Sequence, residues 1–172
     1  SGNGETISPG TKRFFDTEIS FNQDIDNDGE IGSARNDGAA TYSISGTVAI
    51  GNTLKIIENN PDPDGEGRYP DGSSTLSYSW QTSSDNSTWT EVSTLATYTV
   101  RDSDEGKSIK ANISYIDAQD YSETVSTSTS YIPIVFTVIE SEGSTTLAKN
   151  RNGYAYAAVK GTSNYTPITD SK

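Results

Sequence analysis

From Thr41 onward, apolar and polar residues alternate with a period of two. TYSIS sets Tyr42 and Ile44 on one side of an extended strand, and NTLKIIE does the same with Leu54 and Ile56. In STLSYSWQTS, Leu76, Tyr78 and Trp80 share a face, while Ser77, Ser79 and Gln81 share the other. ATYTV contributes Tyr98 and Val100. The most regular run is KSIKANISYID, with Ile109, Ala111, Ile113 and Tyr115 inward and Ser108, Lys110, Asn112 and Ser114 outward. A softer Ser/Thr strand surrounds Val125. Side chains alternate faces along a strand, so each run offers one dry and one wet side. Repeated alternation between turn signals predicts an antiparallel sandwich, with Trp80 as its core tryptophan.

Turn chemistry separates these runs. SSDNSTW reverses the chain through Asp85 and Asn86, and DSDEG does so through Asp104 and Gly106. The stretch from Asn59 to Ser74, NNPDPDGEGRYPDGSS, is too long and polar for a tight turn and reads as a surface loop.

The flanks follow other patterns. Residues 1–15 have no clear period, and 16–23 suit a short helical turn on which Phe21 and Ile25 pack together four residues apart. Pro133 marks a junction, after which IVFTVIE, TTLAKN and GYAYAAV suggest two or three further strands. The expected organisation is an all-β chain in three parts. Residues 1–38 form a linker with a short loop of EF-hand type, 39–132 an antiparallel sandwich, and 133–172 a short, partial β segment.

Composition narrows the chemistry. The 172 residues are 31% hydrophobic, which suits sheets that are each wet on one face. There is no Cys, His or Met, so disulfides, thiolate nucleophiles, imidazole bases and the common zinc sites are excluded. The net charge of -12 disfavours nucleic acid and anionic membrane as partners and leaves carboxylates available for cations. No apolar run is long enough to cross a bilayer, so no membrane insertion is expected.

The acidic residues are clustered. In DIDNDGEIG, Asp24, Asp26 and Asp28 occupy alternate positions, Gly29 allows a sharp turn, Glu30 can offer its carbonyl and Ile31 follows. That is the start of a helix-loop-helix calcium loop, in which clustered hard oxygens meet the demand of Ca2+ for six to eight ligands. The bidentate Glu expected at the twelfth position is Arg35 here, and Asp37 two residues later is a candidate substitute. The alternative is a solvated acidic turn. In DPDGEG, Asp62, Asp64 and Glu66 alternate again, and Asp117 and Asp120 can join them from a strand end. A cation or solvent must relieve the repulsion of that set; otherwise it is an ordinary Gly/Asp turn. The third cluster, Asp102, Asp104 and Glu105 in DSDEG, reads as structural, with Asp104 accepting backbone hydrogen bonds while Gly106 takes an unusual dihedral. Trp89 either covers a strand edge or stays partly exposed, where a sugar ring can stack on it. The carboxylates lie in loop runs rather than across a groove, and no G-x-S-x-G elbow is present, so no enzyme is expected.

SGTVAIGNTLKI, LSYSWQTSSDNSTWTEV and ATYTVRDSDEGKSIKANISYIDAQDYSETV together resemble the immunoglobulin-like repeats of very large calcium-dependent bacterial surface proteins, including RTX-type adhesins. Tyr78, Trp80, Asp85 and Trp89 fit one block of that pattern, and Asp104, Gly106, Lys107 and Ile109 another, over about residues 44–130. FNQDIDNDGEIG and VIESEGSTTL resemble pieces of the tryptophan-rich C-terminal repeats of secreted bacterial proteins, although no Trp follows Trp89. The resemblance implies an immunoglobulin-like sandwich, Ca2+ as ligand, an extracellular or cell-surface location and a non-catalytic adhesion or spacer role. Its partners are then cell-surface glycans or neighbouring modules. A carbohydrate-binding module with exposed Trp or Tyr is the alternative.

Overall fold

The computed structural model describes residues 6–7, 12–25, 27, 31–32, 36–151, 153–159 and 161–168. One helix, α1 (Lys12–Phe21), precedes strands β1 (Thr41–Ser45), β2 (Thr53–Asn60), β3 (Ser77–Ser83), β4 (Thr90–Ser93), β5 (Thr97–Thr99), β6 (Ser108–Ile116), β7 (Ser122–Ser126) and β8 (Ser130–Tyr131). Four more strands follow: β9 (Thr137–Glu142), β10 (Thr145–Lys149), β11 (Ala155–Val159) and β12 (Thr166–Pro167). The chain is therefore mostly β, and every named strand pair is antiparallel. No helix among the described residues is long and apolar enough to cross a membrane.

Two sheets share one core. The first has the order β1-β2-β5 and the second β4-β3-β6-β7, with β8 continuing beside β6 past the end of β7. Tyr42, Leu54 and Tyr98 face in from the first sheet, and Trp80, Ile109, Ala111, Ile113 and Tyr115 from the second. These are the residues whose alternation marks an inward face. Trp80 is 0% exposed, its ring stacks on Tyr98 at 5.8 Å, and its indole N–H donates to the Leu95 carbonyl at 2.9 Å. A buried indole needs that acceptor, since an unpaired N–H in the core is costly. Ser108 departs from the outward face expected for it and is buried, because β8 pairs alongside it.

The turns use the expected side chains. Asp85 Oδ1 accepts from the backbone N–H groups of Ser87 and Thr88, Asn86 sits at φ +59°, and these hydrogen bonds hold the Asp85 carboxyl well below its ordinary range. In DSDEG, a single 3-10 turn covers Asp102–Asp104, and Gly106 takes φ +76°. Asp104 is buried and accepts from Arg101 N at 2.9 Å and from the Tyr98 hydroxyl. Glu105 Oε1 accepts from Val135 N at 2.9 Å, which ties this turn to the start of the C-terminal sheet.

The flanks differ from expectation in detail. The helix starts at Lys12 rather than near residue 16, and its inward residues are Phe14 and Glu18. Phe21, 71% exposed, and Ile25 do not form its packing face. A spacing of four fits either pair, and the buried one is Phe14 with Glu18. The C-terminal part is a four-stranded sheet, β12-β11-β10-β9, one strand more than the apolar runs suggest. Its extra strand is too short and polar to carry a periodic signal. Phe136 packs against Tyr156 and Tyr165, with ring centroids 4.9 and 4.2 Å apart.

Tyr98→Phe keeps the ring stack on Trp80 and removes the hydroxyl that serves the buried Asp104 carboxylate. The expected cost is about 1–3 kcal/mol. It is read as a lower urea midpoint with an unchanged denaturant slope; an unchanged midpoint would mean that the couple contributes nothing.

Candidate metal centre

The inward alternation of β6 continues one step past the strand. After Ile109, Ala111, Ile113 and Tyr115, the next inward position is Asp117, which is 1% exposed. A carboxylate thus arrives on the dry side of the sheet, at the end of the core. The loop after β2 meets it there. Gly67 N donates to Ile116 O, Ala118 N donates to Gly65 O, and Glu66 and Asp117 form an antiparallel bridge. The approach is backbone to backbone. A Cβ on Gly67 would lie 2.2 Å from the Asp117 carbonyl oxygen and 2.4 Å from that of Ile116, so only glycine allows it.

This contact gathers three acids. One carboxylate oxygen from each of Asp62, Asp64 and Asp117 lies within 4.8 Å of the others. Oxygens bound to one calcium at 2.3–2.6 Å stand at most about 5 Å apart, so the trio fits a single ion of that size. The three can hold a metal ion. Asp62 is buried as well, and Asp64 is half-buried.

Each oxygen but one is engaged by protein. Asp62 Oδ1 accepts from Asp64 N at 2.8 Å, and Asp62 Oδ2 from the Tyr115 hydroxyl at 2.6 Å. Asp64 Oδ1 accepts from Gln119 Nε2 at 3.0 Å, and Asp64 Oδ2 from Asp37 N at 2.8 Å. Asp117 Oδ1 accepts from Gln119 N and Tyr121 N, both at 2.8 Å, which closes the turn from β6 to β7 with Asp120 at φ +68°. Asp117 Oδ2 is buried and has no hydrogen-bond partner among the described residues. Burial, and secondarily the nearby charges of Asp62 and Asp64, push the Asp117 carboxyl above its ordinary value, against the pull of its two backbone hydrogen bonds. A buried charge in this position asks for a compensating cation or a proton.

The tyrosines belong to the same end of the core. The Tyr115 hydroxyl accepts from Ala40 N at 2.7 Å while it donates to Asp62. Tyr42 packs edge-on against Tyr115, with centroids 6.4 Å apart. Burial, reinforced by the charges of Glu58 and Glu66, pushes the Tyr42 phenol up to about 12.

The expected ligands are distributed as follows. Asp62 and Asp64 are together. Glu66, the third member anticipated in that run, is exposed and stands outside the trio. Gly65 at φ +81° turns the chain between Asp64 and Glu66, which breaks the alternation that would have put all three on one side. Asp117 fills the third position, and the continuing period of SIKANISYID is the signal that points to it. Asp37, considered as a ligand for the first loop, meets Asp64 through its backbone instead, and its side chain is exposed. Asp26, Asp28 and Glu30 lie outside the described residues. Asp24 is half-buried and its Oδ1 accepts from Asn27 N.

Sequence reasoning overlooked Glu18. It is 0% exposed on α1, and its two carboxylate oxygens accept from Ile25 N at 2.8 Å and Gly32 N at 3.1 Å, gripping both sides of the first loop. A glutamate six positions before Asp24 lies outside the usual loop pattern, so spacing gave no sign of it. Trp89 is half-buried, and Lys110 Nζ stands 4.3 Å from its ring centroid.

No protein-family model and no curated protein matches this chain.

Metal-free protein is expected to respond to pH through Asp117. A carboxyl whose folded pKa is raised binds its proton more readily in the native than in the unfolded chain. Its contribution is fully present below the ordinary value of 3.8 and is lost as pH rises through the raised folded value. In the presence of chelator, the melting temperature is therefore expected to climb as pH falls from neutrality toward that value. Asp117→Asn should flatten this climb and raise the chelated melting temperature at neutral pH. Identical profiles for the two proteins would remove Asp117 as the source.

Proposed function

We propose that this chain is a calcium-stabilised, non-catalytic module of a large extracellular bacterial protein, acting as an adhesion or spacer unit. The observation that carries the reading is Asp117 Oδ2, buried without a partner against Asp62 and Asp64. Three carboxylates and one divalent ion leave a residual charge of the size calcium sites tolerate, and hard oxygen donors suit Ca2+. A ligand bound only by the folded state stabilises it by mass action, which serves a chain that has no cysteine for disulfides.

The trio joins segments distant in sequence. Asp37 N and Ala40 N dock the segment before β1, Asp62 and Asp64 come from the loop after β2, and Asp117 comes from the end of β6. An ion held here rigidifies the end of the sandwich and fixes how the preceding segment leaves it. The immunoglobulin-like assignment draws support from the strand order. The chain passes from a β1-β2 pair to a β3-β4 pair in the opposite sheet, returns for β5, and crosses again for β6 and β7 around a buried tryptophan. The loop beginning at Asp24 is a second candidate for calcium, and Glu18 holds its described part against α1. Sugar stacking on Trp89 has less in its favour, since the Lys110 ammonium takes one ring face.

Calorimetric titration of chelator-stripped protein with calcium chloride tests the reading. Saturable binding near the millimolar range of extracellular modules is expected. The melting temperature should rise with it, and Asp117→Asn should abolish that site. Heat remaining in Asp117→Asn would belong to the loop at Asp24. Absence of binding up to several millimolar calcium, with an unmoved melting temperature, would sink the proposal.

A further inference from the structure

We propose that Gln119 supplies a fourth protein oxygen, its side-chain Oε1, to the cation held by Asp62, Asp64 and Asp117. The inference rests on the cation reading of that trio and extends it to a neutral ligand.

Three buried side-chain atoms among the described residues have no hydrogen-bond partner: Tyr42 Oη, Asp117 Oδ2 and Gln119 Oε1. All three are oxygens, and all belong to one end of the core. Asp117 and Gln119 share the turn between β6 and β7, and Tyr42 packs on the tyrosine that binds Asp62. Random packing defects would not collect in this way. Buried oxygens that lack donors and cluster beside carboxylates have the chemistry of a cation shell.

Gln119 is held for this role from both ends. Its backbone N–H is fixed on Asp117 Oδ1, and its Nε2 donates to Asp64 Oδ1 at 3.0 Å. Its side-chain amide therefore lies beside Asp64, and its backbone N–H on Asp117. The terminal torsion of a glutamine is broad and soft, so Oε1 can turn to an ion without moving the turn, giving up the Nε2 bond to Asp64 as it does so. A carboxamide oxygen is a hard donor that adds no charge, so the site keeps three negative charges instead of four. Ligand charge count is one of the determinants of calcium affinity, and a neutral fourth ligand tunes the site toward weak, millimolar response. Asp37 does not fill this position, because its contact to Asp64 is made by the backbone N–H.

Two variants separate an oxygen ligand from a hydrogen-bond donor. Gln119→Leu removes both amide functions, and Gln119→Glu keeps an oxygen while losing the N–H. Calcium chloride titrations and terbium luminescence lifetimes in light and heavy water would be recorded for both, with chelated melts confirming that each folds. Gln119→Leu is expected to weaken calcium binding about tenfold or more, and bound terbium should gain about one coordinated water. Gln119→Glu should bind at least as tightly as the parent. If both variants weaken equally with no change in coordinated water, the amide acts only as a donor to Asp64 and the proposal is overturned. If Gln119→Leu binds like the parent while Asp117→Asn does not, Gln119 is no ligand, and the trio stands without it. A parent protein that binds neither ion ends both readings.

Discussion

Burial of every second residue of β6 is the constraint on which the rest is registered. Its inward positions are Ile109, Ala111, Ile113 and Tyr115, all nearly inaccessible, and β3 and β7 hydrogen-bond to it on either side. A strand held between two neighbours with one face in the core cannot slip by one residue, because a slip would turn every apolar side chain to water. The same rule places what comes after the apolar residues. Asp117 follows Tyr115 in the pattern and is buried because the register leaves it no other side. The acidic centre is thus an extension of the hydrophobic core by one residue.

The two ends of the core are built alike. At one, Tyr115 reaches Asp62; at the other, Tyr98 reaches Asp104. Each tyrosine buries its ring among apolar neighbours and uses its hydroxyl to hold a carboxylate in a loop. The difference lies in the company. Asp104 has a backbone N–H and a phenol as donors to its carboxylate, and it is no member of a metal-sized acidic trio among the described residues. Asp62 stands with two further carboxylates, and hydrogen bonds do not neutralise three charges. Similar local architecture therefore gives a plain structural turn at one end and a candidate cation centre at the other.

Most of the sandwich was legible because its strands obey a period. Leu54, Trp80, Tyr98 and Ile113 stand where alternation puts them. The DSDEG turn was legible too, since Asp104 and Gly106 act within a few residues of each other. The centre was legible only by half. Asp62 and Asp64 announce themselves as an acidic run, but the membership of Asp117 depends on which strand end meets which loop, and that is set by a glycine contact between residues fifty apart. Glu66 fails for a local reason, a left-handed Gly65 that ends the extended conformation. Glu18 was hidden because its partners are backbone N–H groups, which carry no sequence signature.

The apposition of Gly67 to Ile116 and Asp117 has one more consequence. Side chains usually cushion the contact between two loops, and rotamer changes let such contacts breathe. Here main chain rests on main chain, with no room for even a methyl group between. The spacing between the acids of the loop and the acid of the turn is then governed by peptide geometry and bridge hydrogen bonds, which yield little. The gap between Asp62, Asp64 and Asp117 is thus a gauge cut in peptide, set by main chain and not by rotamers.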